Sequence, residues 1–306
     1  MVKVERILCP TDLSAESDEA LRYAVALALV CEAELLLLHC SKESPVASQR
    51  NGGTIDAHMN RLFSAALAPH IGPAAPGILK WKGIFRNDVR HVGKAILLEA
   101  ATQAVDLIVM RSRRRPRAAA LLGSTAETIC RNAPCPVLVT HPQEREWVAK
   151  STGEIDLNRV LIAHDFSQDS EMALNYGLSL AQEYQAEIHV MHVLATAGHE
   201  EPELAWSSVS GGNAYTFTAR KLRETLPREV FLWCNVVNVV RCGKVAEEIL
   251  NHAKEHDVDL ICMGTGGSDW TVEKLLGSNV DRVLRQAPCP VLVASSTGHR
   301  YSAVRY

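Results

Sequence analysis

Gly264, two residues, Gly267, nine residues and then the pair Gly277-Ser278 punctuate the run M-G-T-G-G-S-D-W-T-V-E-K-L-L-G-S at 263–278. Glycines at such spacing let backbone amides close on an anion and adopt left-handed backbone. The following segment, N-V-D-R-V-L-R-Q, has helical character. Ser278 could cap that helix and offer its hydroxyl and neighbouring amides to a phosphate. Asp165 ends a short apolar strand, R-V-L-I-A at 159–163. In a parallel sheet it faces the same edge, where a carboxylate could accept from a ribose hydroxyl or an adenine amino group. The plainer reading is a glycine pair in a surface turn. The run is not a Walker loop: Gly243-Lys244 lacks the upstream glycine, and Val245 stands where a magnesium-binding hydroxyl belongs. It is not a dinucleotide fingerprint either, since it comes late in its domain with the wrong glycine spacing.

The same run recurs at 110–124 as M-R-S-R-R-R-P-R-A-A-A-L-L-G-S, one residue shorter. Gly123 and Ser124 persist, but Arg111 and Arg114 replace the two leading glycines. The arginines of 111–117 read as a solvated loop, as a neutraliser of ligand phosphate, or as a local nucleic-acid contact. The recurrence extends along the chain. Residues 6–40 and 159–193 align without a gap at an offset of 153, with 13 of 35 positions identical, among them Asp12/Asp165, Ser14/Ser167 and Ser17/Ser170. The ends match as well, LLGSTAETICRNAPCPVLVT at 121–140 against LLGSNVDRVLRQAPCPVLVA at 275–294. A period this long means duplicated domains. We place them at 1–142 and 156–296, joined by a polar linker at about 141–155.

Each copy alternates strand and helix. In the second, strands are predicted at 159–163, 187–193, 235–241, 259–264 and 289–294, and helices after the caps of 167–170, around 214–226 and over 244–255. Ser167 or Asp169 is the N-cap of the first helix. Short apolar strands separated by helices predict an α/β fold: two Rossmann-like domains, each a five-stranded parallel sheet between helices. Ligands of such sheets sit beyond the carboxyl ends of the strands.

Net charge of −3 disfavours nucleic-acid binding by bulk electrostatics. Nine cysteines, none in a C-x-x-C pair, four of them (Cys9, Cys40, Cys262 and Cys289) in or beside apolar runs, point to a reducing compartment. No leader and no apolar run of 18 residues is visible, so no membrane span is expected and the cytoplasm is the expected location. His189 and His192, three apart on one strand, point to opposite faces. With His164 they have no zinc-like partner spacing, so no metal ligand set is expected. Cys242, at a strand end, reads as a buried or incidental thiol before a redox-sensitive one. Trp81 and Trp233 fall in comparable strand-like stretches and read as core or domain-interface packing residues. Ser14 and Ser167 lack a nucleophile elbow or partner base, so no catalytic residue is assigned.

Four signatures together resemble the universal stress protein family in its tandem form. They are the strand-one Asp-Φ-Ser with a following Ser (Asp12, Asp165), the strand-two ending at His39 and His192, the G-x2-G-x9-G-S loop, and A-P-C-P-V-L-V at 133–139 and 287–293. The resemblance covers nearly the whole chain. It implies an adenine nucleotide alpha hydrolase-like fold whose domains pair through their last strands, here within one chain, with a homodimer left open. It implies ATP, with Mg as its companion, in the second domain. Asp165 would lie near the adenosine, Val193 would offer main-chain contacts to the base, and Gly264, Gly267, Gly277 and Ser278 would hold the triphosphate. The family's role implies a regulatory stress-response protein with weak hydrolysis at most and an unidentified protein partner. The alternatives are a scaffold or small-molecule sensor that does not use ATP, and a slow ATPase.

Overall fold

The structure is a computed structural model that describes residues 2–42, 55–71, 78–112, 123–141, 144–195, 209–266 and 276–296. Two compact units divide the chain, one built mainly from residues 3–143 with 147–156, the other from 157–294 with 144–146. Module one contains β1 (Arg6–Pro10), α1 (Asp18–Val30), β2 (Glu34–Cys40), α2 (Ile55–Leu67), β3 (Trp81–Arg86), α3 (Val92–Thr102), β4 (Leu107–Arg111), α4 (Ser124–Asn132) and β5 (Val137–Thr140). Module two contains β6 (Arg159–Ala163), α5 (Gln168–Tyr184), β7 (Glu187–Ala195), α6 (Val209–Glu224), α7 (Val230–Trp233), β8 (Val236–Gly243), α8 (Val245–Glu255), β9 (Leu260–Gly264), α9 (Ser278–Gln286) and β10 (Val291–Ala294).

The predicted five parallel strands per module are present. Their order is β3-β2-β1-β4-β5 in module one and, equivalently, β8-β7-β6-β9-β10 in module two. The order reverses between β1 and β4, and between β6 and β9, which opens a crevice at the carboxyl ends of those strands. Central strands are buried on both faces, as their continuous apolar runs require: Ile7, Leu8 and Cys9 in β1, Val160, Leu161 and Ile162 in β6, Leu260, Ile261 and Cys262 in β9. The edge strands β3 and β8 are half-exposed along most of their length. Burial pushes the Cys9 and Cys130 thiols up to about 12, which makes them inert packing groups.

Two expectations need correction and one helix shifts its bounds. Trp233 lies in the short helix α7, and both it and Trp81 are only half-buried, so neither is a core residue. The helix expected around 214–226 spans Val209–Glu224, with α7 following as a separate turn. The stretch read as a polar linker folds onto module one. Trp147 and Val148 are buried, Val148 and Ile155 form an antiparallel bridge, and Arg22 Nη1 donates to Val148 O at 2.8 Å. The Trp147 ring meets Tyr23 edge-on at 4.8 Å between centroids, and Trp147 N donates to Tyr23 Oη at 3.1 Å. Polar composition hid two apolar anchors that find a home only once α1 exists.

Candidate functional site: the carboxyl edge of module two

The end of β6 is shaped by a local motif. Phe166 takes a left-handed conformation, φ 66°, and turns the chain so that Asp165 Oδ1 accepts from Ser167 N at 3.0 Å and Ser167 Oγ at 2.5 Å. This Asx-type turn delivers Ser167 as the N-cap of α5, where its side chain accepts from Ser170 N. Of the two candidate caps it is Ser167; Asp169 sits in the first turn. Ser167→Ala should cost about 0.5–2 kcal/mol, read as a lowered unfolding midpoint, because cap and turn share one hydroxyl. Asp165 is half-buried and its Oδ2 has no partner among the described residues.

His164 is buried and its pKa is lowered, chiefly by that burial and against the opposing pull of Glu171. Phe166 N donates to its Nδ1 at 3.2 Å, so Nε2 carries the proton and faces Glu171 Oε2 at 3.3 Å. His192 Nδ1 donates to His164 O at 2.7 Å. The Phe166 ring lies 4.8 Å from His192 and carries Lys221 Nζ 3.9 Å above its centroid. His164 N bonds Met191 O at 2.8 Å, after which β6 leaves the sheet. Main-chain groups alternate sides along a strand, so the next pair facing that side belongs to Val193, in the space β6 vacates.

Gly264 ends β9 without a left-handed φ, contrary to the expectation that glycines here adopt one. Its small size serves packing. A Cβ on Gly264 would stand 2.7 Å from Asp169 Cβ and from Ser170 N. The start of α5 therefore rests directly on the end of β9, and Asp169 Oδ2 accepts from Thr265 Oγ1 at 2.6 Å and Gly266 N at 3.2 Å. Beyond the loop, Gly277 N donates to Thr265 O at 3.2 Å, and a Cβ there would come within 3.3 Å of the same oxygen. Gly277, not Ser278, occupies the N-cap of α9, and Ser278 is its first helical residue. The structure thus brings Asp165, Val193, Gly264, Gly277 and Ser278 to one edge of one module. Gly267 lies outside the described residues, as do positions 113–117 of the arginine run. Sequence reading missed the side chain of Asp169 on the loop; only the contact with β9, distant in sequence, shows it.

Module one repeats the turn, with Leu13 at φ 58° and Asp12 Oδ1 accepting from Ser14 N at 3.1 Å. A cleft of about 510 Å³ remains there, lined among others by Asp12, Lys42, Arg111 and Ser124. Arg111 replaces Gly264, however, and its guanidinium lies 3.5 Å from Glu16 and 3.2 Å from Glu19. Arg111 thus carries a side chain, paired with the first turn of the helix, at the position where Gly264 has none. Correspondingly α1 begins at Asp18, three residues later than the repeat predicts from α5, and it has no side-chain cap.

Strands ordered this way, twice over, define a duplicated α/β protein. The universal stress protein family model matches residues 3–141 and 157–295, and the chain belongs to that family. It is 32% identical over 149 residues to a universal stress protein of Bacillus subtilis, covering 44% of this chain and 97% of that one. It is 25% identical over 293 residues to one of Mycolicibacterium smegmatis, covering 94% and 96%. The crystal structure of a universal stress protein from Archaeoglobus fulgidus superposes with a TM-score of 0.64 at 22% identity, over 96% of this chain and 99% of that one, which supports the fold. No helix among the described residues is long and apolar enough to cross a membrane.

Proposed function

We propose that module two binds an adenine nucleotide, ATP with Mg2+ as counter-charge, and acts as a regulatory element of the stress response. The fold would then be of the adenine nucleotide alpha hydrolase-like type. The observation that carries the reading is the unpartnered Oδ2 of Asp165 on the same edge as the Gly277 turn. In this reading Asp165 Oδ2 accepts from a ribose hydroxyl, and the Val193 main chain meets the base. The first amides of α9, which have no intrahelical acceptor, together with Ser278 Oγ, face phosphate. Gly264 acts indirectly, by letting α5 fix Thr265 and Gly266. Bound Mg2+ would offset phosphate charge. No catalytic residue is assigned, because Asp165 is committed through Oδ1 to Ser167.

A second reading, a sensor or scaffold that does not use ATP, draws on Asp169. Its carboxylate already takes the Gly266 N–H and places negative charge at the mouth of the loop. Calorimetric titration with ATP and Mg2+, beside nucleotide released from fresh protein, separates the two. One ATP per chain is expected. Asp165→Asn keeps the Oδ1 acceptor and should weaken binding by about 10–100-fold, the loss of a charged hydrogen bond. No saturable binding, or unchanged affinity in the variant, would favour the sensor reading. Turnover assayed on the same samples decides whether hydrolysis accompanies binding.

A further inference from the structure

The opposite, amino-terminal edge of module two carries a cluster unrelated to the nucleotide edge. Glu187 and His189 stand at the start of β7, and His252 and Glu255 in the last turn of α8, with His256 directly after it. One ligand atom from each of His252, Glu255 and His256 lies within 4.8 Å of the others. His252 is 2% exposed, whereas Glu255 and His256 are exposed. The His252 and His256 rings are 4.2 Å apart. In sequence this is H-A-K-E-H, two histidines four apart spanning the C-terminal end of a helix with a carboxylate between them, a spacing compatible with zinc.

A relay of hydrogen bonds orients the buried ring. Glu187 Oε1 lies 2.7 Å from His189 Nε2, and His189 Nδ1 lies 2.7 Å from His252 Nε2. The Glu187 carboxylate accepts and His189 Nε2 donates. With its Nε2 donating to Glu187, His189 accepts at Nδ1 from His252 Nε2–H. That leaves a lone pair on His252 Nδ1, a buried atom with no hydrogen-bond partner among the described residues. An orphaned buried acceptor on a neutral imidazole is costly unless something occupies it. A carboxylate–histidine chain behind a ligating imidazole is the usual outer shell of a metal-binding histidine. The carbonyl end of α8 adds negative potential for a cation.

Module one shows what this position does without the cluster. The equivalents of His189, His252, Glu255 and His256 are Leu36, Glu99, Thr102 and Gln103. Glu99 is buried and accepts from Arg86 Nε at 2.7 Å. In module two the corresponding arginine, Arg241, pairs instead with Glu255 Oε2 at the rim, at 3.0 Å.

The geometry points to a divalent transition-metal site, matched by its ligand types to Zn2+, formed by His252, Glu255 and His256, with His189 and Glu187 positioning the buried ligand. Two imidazoles and a carboxylate suit Zn2+ over Mg2+ or Ca2+, which prefer all-oxygen shells. Only the two exposed ligands need to move, closing to the spacing set by bonds of about 2.0–2.2 Å. Three protein ligands leave a fourth position open.

The test is titration of chelator-stripped, nucleotide-free full-length protein with Co2+ and Zn2+. The expected result is one Co2+ per chain with visible d–d bands, displaced by Zn2+, and no thiolate-to-metal charge-transfer band. His256→Ala, at an exposed position, should weaken binding by at least the about 10–100-fold seen for loss of a supporting contact. His252→Gln should abolish it, and if that variant does not fold, His256→Ala alone decides. A site of unchanged affinity in His256→Ala, a thiolate band marking capture by cysteine, or no saturable binding would each overturn the proposal. None of these readouts depends on whether ATP binds.

Discussion

Replacing Trp147 with alanine is expected to destabilise module one by about 3–5 kcal/mol, the range for removing a large buried aromatic. The side chain is 1% exposed and packs edge-on against Tyr23. Its indole Nε1 has no partner among the described residues, so the loss is one of packing rather than hydrogen bonding. The main-chain bond from Trp147 N to Tyr23 Oη survives the substitution. Calorimetry of the full chain should show one transition lowered by on the order of 10 °C. Trp233→Ala, at a half-buried position of α7, should change little by comparison. Equal effects at the two tryptophans would mean that the 147–156 segment does not pack as described.

The second large effect is expected at Gly264. Even alanine there places a Cβ 2.7 Å from Ser170 N and 2.8 Å from Asp169 C. These are backbone atoms, so no rotamer change relieves the clash and the start of α5 must lift from β9. Overpacking of this kind costs about 1–3 kcal/mol. The shift also breaks the Asp169 contacts to Thr265 and Gly266, so under the proposed function ATP affinity falls with stability. Gly264→Arg should go further and reproduce module one, where the helix starts late beside Arg111. Hydrogen exchange at residues 168–171 reads the change directly. Protection there equal to wild type in Gly264→Ala would contradict the packing role.

The fold was legible because the duplication supplied its own control. Two copies of an apolar strand followed by Asp-Φ-Ser could be compared position by position, and continuous apolar runs such as R-V-L-I-A admit little besides a buried parallel strand. The approach of Asp165, Val193, Gly264, Gly277 and Ser278 to one edge follows from that topology. The roles of individual residues were less legible. Gly264 reads as an anion-binding glycine until the helix lying 2.7 Å from its missing Cβ is seen. Asp169 and Thr265 are 96 residues apart, and no spacing announces their bond. His252 and His256 do announce themselves at helical spacing. What the spacing does not announce is the contact of His252 with His189 on β7, which orients it. Trp147 was obscured by its polar neighbours.

The fold-back of residues 147–156 moves the natural seam of the polypeptide. A fragment cut where the last strand of module one ends, near residue 142, would leave the side of α1 around Arg22 and Tyr23 bare. It would be expected to precipitate or to associate through that scar. A fragment carried through Asp156 brings its own cover and should behave as a self-sufficient piece. The useful ruler for dissecting this chain is therefore where the tryptophan docks, not where the sheet stops.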